Sequence, residues 1–313
     1  MPIKNLIVIA GPTAIGKTAL SVSIAKAFNC PVISADSRQF FRELSIGTAK
    51  PAVSEMQGVS HYFIDSHSIT DNFNVGKYEN EVLVLLEKLF ETTEKIILTG
   101  GSGLYIDAIC KGFDELPEAD AETRNKINSI LKSKGIEGLQ ELLKELDLNY
   151  YNKVDLQNPQ RISRALEVCL TTGAPYSTLR KGKIKKRDFN IIKIGLNTSR
   201  DILYGRINQR VDEMMANGLL NEVESLLPYK HLNSLQTVGY KELFDYLENK
   251  TDLKNAIELI KQNTRRYAKR QLTWFHRDEE IKWFEPNQMT EIMNYINEME
   301  DGKWKMGEGG KLF

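Results

Sequence analysis

Residues 11–18 read GPTAIGKT, directly after the apolar run Leu6-Ile7-Val8-Ile9-Ala10 and directly before ALSVSIAKAF, which has helical periodicity. A strand, a G-x-x-x-x-G-K-T loop and a helix in that order leave few folds open, because the loop must turn tightly at the end of a strand and run straight into a helix. The backbone N–H groups of such a loop, with the helix N-terminus behind them, surround a phosphate or diphosphate. Gly11, Pro12, Thr13, Ala14, Ile15, Gly16, Lys17 and Thr18 are therefore candidate phosphate contacts. Lys17 adds positive charge, and the Thr18 hydroxyl is a candidate ligand for Mg²⁺. The motif alone does not separate a nucleotide from a diphosphate leaving group.

Further β-like runs fall at 4–10, 31–35, 61–65 and 95–99, with a helical pattern at 77–92. That alternation predicts a phosphate-loop NTPase-like α/β fold, a three-layer core around a mostly parallel sheet. Runs at 190–196 and 281–285 resume the strand pattern, and 200–270 returns helices. Between them AETRNKINSILKSKG, EGLQELLKELD and NPQRISRALEVCLTTG are each amphipathic. Residues 115–185 are thus expected to form an inserted α-helical lobe, with 1–114 and 186–300 forming the catalytic core. The Gly- and Lys-rich 301–313 is expected to be a flexible tail.

The formal net charge is zero, which by itself does not favour nucleic acid. The distribution does: 180–187 (RKGKIKKR) and 261–277 (KQNTRRYAKRQLTWFHR) each carry six basic side chains and no acidic one. Such segments suit a polyanion, although many basic runs are only solvated. Within the second, Arg265, Arg266, Lys269 and Arg270 share one helix face, while Trp274 and Phe275 suit a core anchor. Cys30, Cys110 and Cys169 have no disulfide or zinc spacing, and His61, His67, His231 and His276 have no mutual ligand spacing. No apolar run approaches membrane-spanning length and no signal-type segment opens the chain. A cytoplasmic protein without membrane contact is the expectation.

Ser34-Ala35-Asp36-Ser37-Arg38-Gln39 follows the second predicted strand. Carboxyl ends of parallel strands converge on the ligand crevice. Asp36 is therefore a candidate general base or water-mediated Mg²⁺ partner, with helix capping as the plainer alternative. Thr99-Gly100-Gly101-Ser102-Gly103 follows another strand, and its glycines permit close backbone approach. Arg206 and Arg210 lie four apart on one helix face and suit a diphosphate, or else a surface ion pair.

Beyond these pieces, the ordered series GPTAIGKT, ADSRQFF, IGTAKP, HYFID, TGGSGLY, NPQRISRALEV, RINQRVDEMMANGLLNEV, TVGYKE and TRRYAKRQLTWF resembles that of bacterial tRNA dimethylallyltransferases, also called tRNA isopentenyltransferases. The resemblance spans 4–285. It implies transfer of a dimethylallyl group from dimethylallyl diphosphate to the exocyclic amine of the adenosine 3′-adjacent to the anticodon in tRNA, with release of diphosphate. It further implies Mg²⁺, and a loop that holds the isoprenoid diphosphate although it has the form of an ATP-binding loop. Asp36 matches the residue that takes a hydrogen bond or proton from the adenine amine. Thr13 through Thr18 match the diphosphate segment, Arg210 an arginine on that diphosphate, and Arg206 its support. Ser102 stands beside the catalytic carboxylate where threonine is usual. Asp36, Ser37, Arg38 and Gln39, with Gln160, Arg161, Ile162, Ser163 and Arg164, match segments that contact tRNA near its target base. Arg124 matches a further tRNA-facing position. Phe41 replaces a common tyrosine, and Ile15 a common serine. A monomer acting on the tRNA anticodon stem-loop is expected.

Adenine's amine is a poor nucleophile, so Asp36 is expected to orient it and take its proton. Mg²⁺, Lys17 and Arg210 would neutralise the departing diphosphate. Two other classes share the loop: a kinase, which would consume ATP without prenyl transfer, and an RNA-binding module with a vestigial loop, which would bind tRNA without turnover.

Overall fold

The computed structural model describes residues 4–114, 116–182 and 184–300. Its sheet contains β1 (Asn5–Ala10), β2 (Val32–Ser34), β3 (His61–Tyr62), β4 (Lys95–Gly100), β5 (Asn190–Leu196) and β6 (Lys282–Phe284), in the order β3-β2-β4-β1-β5-β6. Each of these pairings is parallel. The central strand explains the layering. Successive side chains of a strand face opposite sides, and every residue of β1 is buried. Ile7 and Ile9 join a cluster with Ile24, Ile194, Leu203, Ile207 and Ile292. Leu6 and Val8 join another with Ile33, Tyr78, Val82, Leu98 and Ile106. A strand apolar on both faces must be covered on both, and the result is a three-layer α/β core.

The covering helices of this core are α1 (Lys17–Phe28), α2 (Val75–Leu89) and α3 (Gly103–Lys111). The lobe segment contributes α4 (Ala121–Leu146) and α5 (Pro159–Thr172). After β5 come α6 (Arg200–Ala216), α7 (Leu219–Ser225), α8 (Tyr240–Leu247) and α9 (Leu253–Phe275), and α10 (Met289–Glu300) ends the described chain. Helices α6 to α9 share an apolar cluster built on Val211, Leu219, Val223, Tyr240, Leu243 and Ile260. Phe41 is buried in the same cluster, so the phenyl ring fills a packing position there.

The chain divides into two compact units, one made of the segments up to Cys110 and from Arg187, the other Lys111–Lys186. The second has its own core of Ile127, Leu139, Leu143, Ile162, Ala165 and Leu166. Asp147 is buried there and accepts the N–H groups of Tyr150 and Ser177 at 2.9 and 2.6 Å, with the Ser177 hydroxyl at 2.8 Å.

Several boundaries differ from the sequence reading. The run 61–65 forms only a two-residue strand, because Phe63 and Asp65 adopt left-handed backbone (φ 59° and 54°) and end the ladder. Helix α2 starts two residues earlier than expected, where the Asn74 side chain caps it by accepting the N–H groups of Gly76 and Lys77. In α4 the two expected helices meet at Gly135, whose φ of 68° and ψ of −164° interrupt the helical path. The expected tail 301–313 lies outside the described residues.

Candidate active site

Parallel register fixes where the motifs meet. Ala10 stands opposite Gly100 on β4 and Gly195 on β5, and Ser34 opposite Thr99. The loop that follows β1, the Asp36 turn after β2 and the Gly101–Ser102 turn after β4 therefore emerge at one end of the sheet. A cleft of about 1380 Å³ opens there, lined by Thr13 through Thr18, by Asp36, Ser37, Arg38 and Gln39, and by Arg210, Tyr267, Arg270 and Gln271.

The Lys17 ammonium donates to the carbonyls of Gly11 and Pro12 at 2.9 and 2.7 Å. Burial pushes its pKa down to about 8; the Asp36 carboxylate opposes that shift and Arg210 adds to it. Gly11 and Pro12 thus hold Lys17 and are absent from the cleft wall. Thr13 lines the cleft, but its backbone N–H donates to Gln271 Oε1 at 2.9 Å and is already committed. Ile15 is fully buried, so the loop offers backbone there and not a side chain. Arg210 reaches the cleft, and burial lowers its pKa against the opposing charges of Glu55 and Glu213. Arg206 is not among the lining residues and donates to the Ile15 carbonyl at 3.3 Å. That bond ties α6 to the phosphate loop.

Asp36 accepts the Arg38 backbone N–H at 2.9 Å, which fixes its carboxylate at the head of the turn. Ser102 sits one layer behind. Its hydroxyl accepts the Ser37 N–H at 3.0 Å and donates to Ser37 Oγ at 3.1 Å, and it does not line the cleft. These bonds tie Ser102 to the turn that carries Asp36. Tyr267 also shares a hydrogen bond with Ser102; burial, then the Asp36 charge, push its pKa up to about 12. Gln39 accepts the Ser34 hydroxyl at 3.3 Å and donates to the carbonyls of Thr48 and Ala49 at 3.2 and 3.3 Å. Arg38 donates to the Ser37 carbonyl at 3.1 Å.

The other candidates belong to the Lys111–Lys186 unit. Gln160 and Arg161 are exposed on the first turn of α5. Arg124 lies within ion-pair distance of Glu118 (3.8 Å) and Glu167 (3.9 Å), and Arg164 of Glu167 (3.3 Å). Ser163 is half-buried. Ile162 is the exception. It is fully buried in the unit's own core, so its side chain packs there.

Tyr267 and Gln271 escaped the sequence reading. They lie four residues apart on α9 and so share a face, but the surrounding basic side chains carried the stronger signal.

A phosphate loop with a half-buried lysine, sharing one cleft with a carboxylate, defines a phosphate- or diphosphate-binding protein of the phosphate-loop α/β class. The profile of the IPP transferase family matches residues 39–278. A tRNA dimethylallyltransferase of Flavobacterium johnsoniae is 53% identical over 302 residues, covering 94% of this chain and 98% of that protein. The crystal structure of the full-length tRNA isopentenylpyrophosphate transferase of Bacillus halodurans superposes with a TM-score of 0.71 at 36% identity, covering 96% of this chain and 98% of that one. A eukaryotic dimethylallyltransferase acting on tRNA gives a TM-score of 0.79 at 26% identity, over 97% of this chain and 81% of that one. The chain belongs to the IPP transferase family.

Proposed function

We propose that this enzyme transfers a dimethylallyl group from dimethylallyl diphosphate to the exocyclic amine of the adenosine 3′-adjacent to the anticodon in tRNA, releasing diphosphate. One observation carries the reading: Asp36 and the loop Thr13–Thr18 line the same cleft. An amine held at Asp36 attacks the allylic carbon; the carbon–oxygen bond breaks, its electron pair leaves with the diphosphate, and the amine proton passes to Asp36. Lys17 and Arg210 face the leaving group's charge. The base must leave its stack to reach the cleft, at a cost of a few kcal/mol that is smaller in a loop than in a duplex.

Mg²⁺ is the proposed metal. Among the described residues no group of three or more His, Cys, Asp or Glu side chains could hold a metal ion alone. Thr18 and Asp36 both line the cleft, and this sparse oxygen donor set suits an ion that keeps waters and takes phosphate oxygens as its other ligands. Bound there, Mg²⁺ would neutralise charge on the diphosphate. Gln160, Arg161, Ser163, Arg164 and Arg124 are proposed to grip the tRNA anticodon stem-loop, with Ser37, Arg38 and Gln39 beside the target base. No helix among the described residues is long and apolar enough to cross a membrane. Action as a monomer in the cytoplasm, where tRNA is available, completes the proposal.

Incubation with Mg²⁺, dimethylallyl diphosphate and unmodified tRNA bearing consecutive adenosines in the anticodon loop should give a prenylated adenosine by mass spectrometry. Folded protein that yields none, or that hydrolyses ATP with a small acceptor instead, would overturn the reading. Asp36→Asn should slow single-turnover transfer by roughly 10²–10⁴-fold with tRNA affinity nearly unchanged, since a proton acceptor is lost while polar shape is kept. An unchanged rate would remove Asp36 from the chemistry.

A further inference from the structure

Gln271 joins the two sides of the cleft. It is buried in the last turns of α9, and both ends of its amide are used. Oε1 accepts the Thr13 N–H at 2.9 Å, inside the phosphate loop. Nε2 donates to the Gly101 carbonyl at 2.9 Å, in the turn that leads to Ser102. Ser102 in turn holds both the N–H and the hydroxyl of Ser37, the neighbour of Asp36. One turn back on the same helix face, Tyr267 meets the Ser102 hydroxyl. The amide cannot be reversed, because its oxygen faces a donor and its nitrogen an acceptor. Gly101 is shaped to this contact: a Cβ there would lie 2.2 Å from Nε2, and the next nearest atoms are at 3.4 and 3.6 Å.

We propose that Gln271 is a positioning residue that sets the separation between the diphosphate-holding loop and the Asp36 turn, and so the distance between allylic carbon and attacking amine. The proposal rests on the reading that the loop holds the donor and Asp36 the acceptor. Substitution at such a brace moves one reactant relative to the other without removing a contact to either. Misplacement by about 1 Å costs a transfer reaction on the order of 10²-fold in rate. Methionine at 271 would leave the Thr13 N–H and the Gly101 carbonyl without partners, and glutamate would set a carboxylate oxygen against that carbonyl.

The test is single-turnover transfer at saturating dimethylallyl diphosphate and tRNA, beside separate affinities for inorganic diphosphate and tRNA. Gln271→Met and Gln271→Glu should each slow transfer by about 10²-fold, while both affinities stay within about threefold. Gly101→Ala supplies a second route, because it displaces the amide and leaves Gln271 itself intact. It should reproduce the loss in the wild-type background and add less than about twofold in Gln271→Met, since neighbours in one network do not add. Circular dichroism gives the folded fraction of each variant. If Gln271→Met does not fold, Gln271→Glu and Gly101→Ala decide alone. Wild-type rates in the folded Gln271 variants, equal costs of Gly101→Ala in both backgrounds, or losses matching the unfolded fraction would overturn the proposal. Asp36→Asn, run alongside, separates the two levels: full activity there would overturn the underlying site reading instead.

Discussion

With its pKa lowered to about 8, Lys17 changes charge within the range of ordinary assays. The sign follows from linkage. An unfolded lysine holds its proton up to about 10.5, so between about 8 and 10.5 the unfolded chain binds more protons, and this residue's contribution to stability rises with pH. Binding runs the other way. A diphosphate favours the ammonium form, so above pH 8 its capture requires proton uptake, and affinity should fall with rising pH by up to about tenfold per unit. Titration calorimetry with inorganic diphosphate from pH 7 to 10 would show this slope; Lys17→Arg, which keeps its charge, should flatten it. A wild-type profile that is flat once the last ionisation of diphosphate itself is subtracted would contradict the lowered pKa of Lys17. Charged residues such as Lys17 and Asp36 were legible because a spacing motif and a strand end marked them. Gln271 was not, since a neutral amide within a basic helix has no local signature and gains its meaning from Thr13 and Gly101, far away in the chain.

The loop 45–47 depends on a partner well removed in sequence. The Glu222 carboxylate on α7 accepts the backbone N–H groups of Ser45, Ile46 and Gly47 at 3.1, 2.7 and 3.0 Å, and the Tyr240 hydroxyl at 2.6 Å. Loop residues 45–50 line the cleft, and the next carbonyls, of Thr48 and Ala49, receive the Gln39 amide. Glu222→Ala leaves three N–H groups without their acceptor and should cost about 1.5–3 kcal/mol, the range for hydrogen bonds to a charged group. Denaturant unfolding measures it; a loss below about 0.5 kcal/mol, the range of ordinary surface substitutions, would show that the loop holds itself. Among elements, long apolar runs such as β1, β4 and β5 were readable because burial on both faces requires them. The edge strand β3 was overextended, since HYFID has strand composition but its backbone turns left-handed at Phe63. Helix α10 went unread although Met289, Ile292, Met293, Ile296 and Met299 recur at helical spacing and join or pack against the core.

Across the whole molecule, the two compact units suggest a division of labour that separate binding measurements can check. Arg161 is exposed on α5 and makes no part of the cleft wall, so Arg161→Ala should weaken tRNA binding, reduce its salt slope by about 1, and leave diphosphate affinity unchanged. Arg124 is engaged with Glu118 and Glu167, so Arg124→Ala should have the smaller effect. Equal losses for both ligands, or none for tRNA, would refute the assignment. The helical character of this region was plain from periodicity, whereas the burial of Ile162 was not, because the QRISR segment reads as uniformly polar around it. The joint of the insert is narrow. Arg187 donates to the carbonyls of Ala108 and Ile109 at 2.7 and 2.8 Å and to Glu79 at 2.8 Å, so the chain returns to the sheet unit beside the point where it left. Within the insert, the Lys185 N–H meets the Lys111 carbonyl at 2.8 Å and closes the same neck. To the sheet, then, everything between 111 and 186 is topologically a single loop, and the entropic cost of lengthening a loop grows only with the logarithm of its length. A chain built this way can exchange the 111–186 piece, here proposed to grip tRNA, as a cassette, and on that proposal would come to modify a different set of RNAs with its chemistry intact.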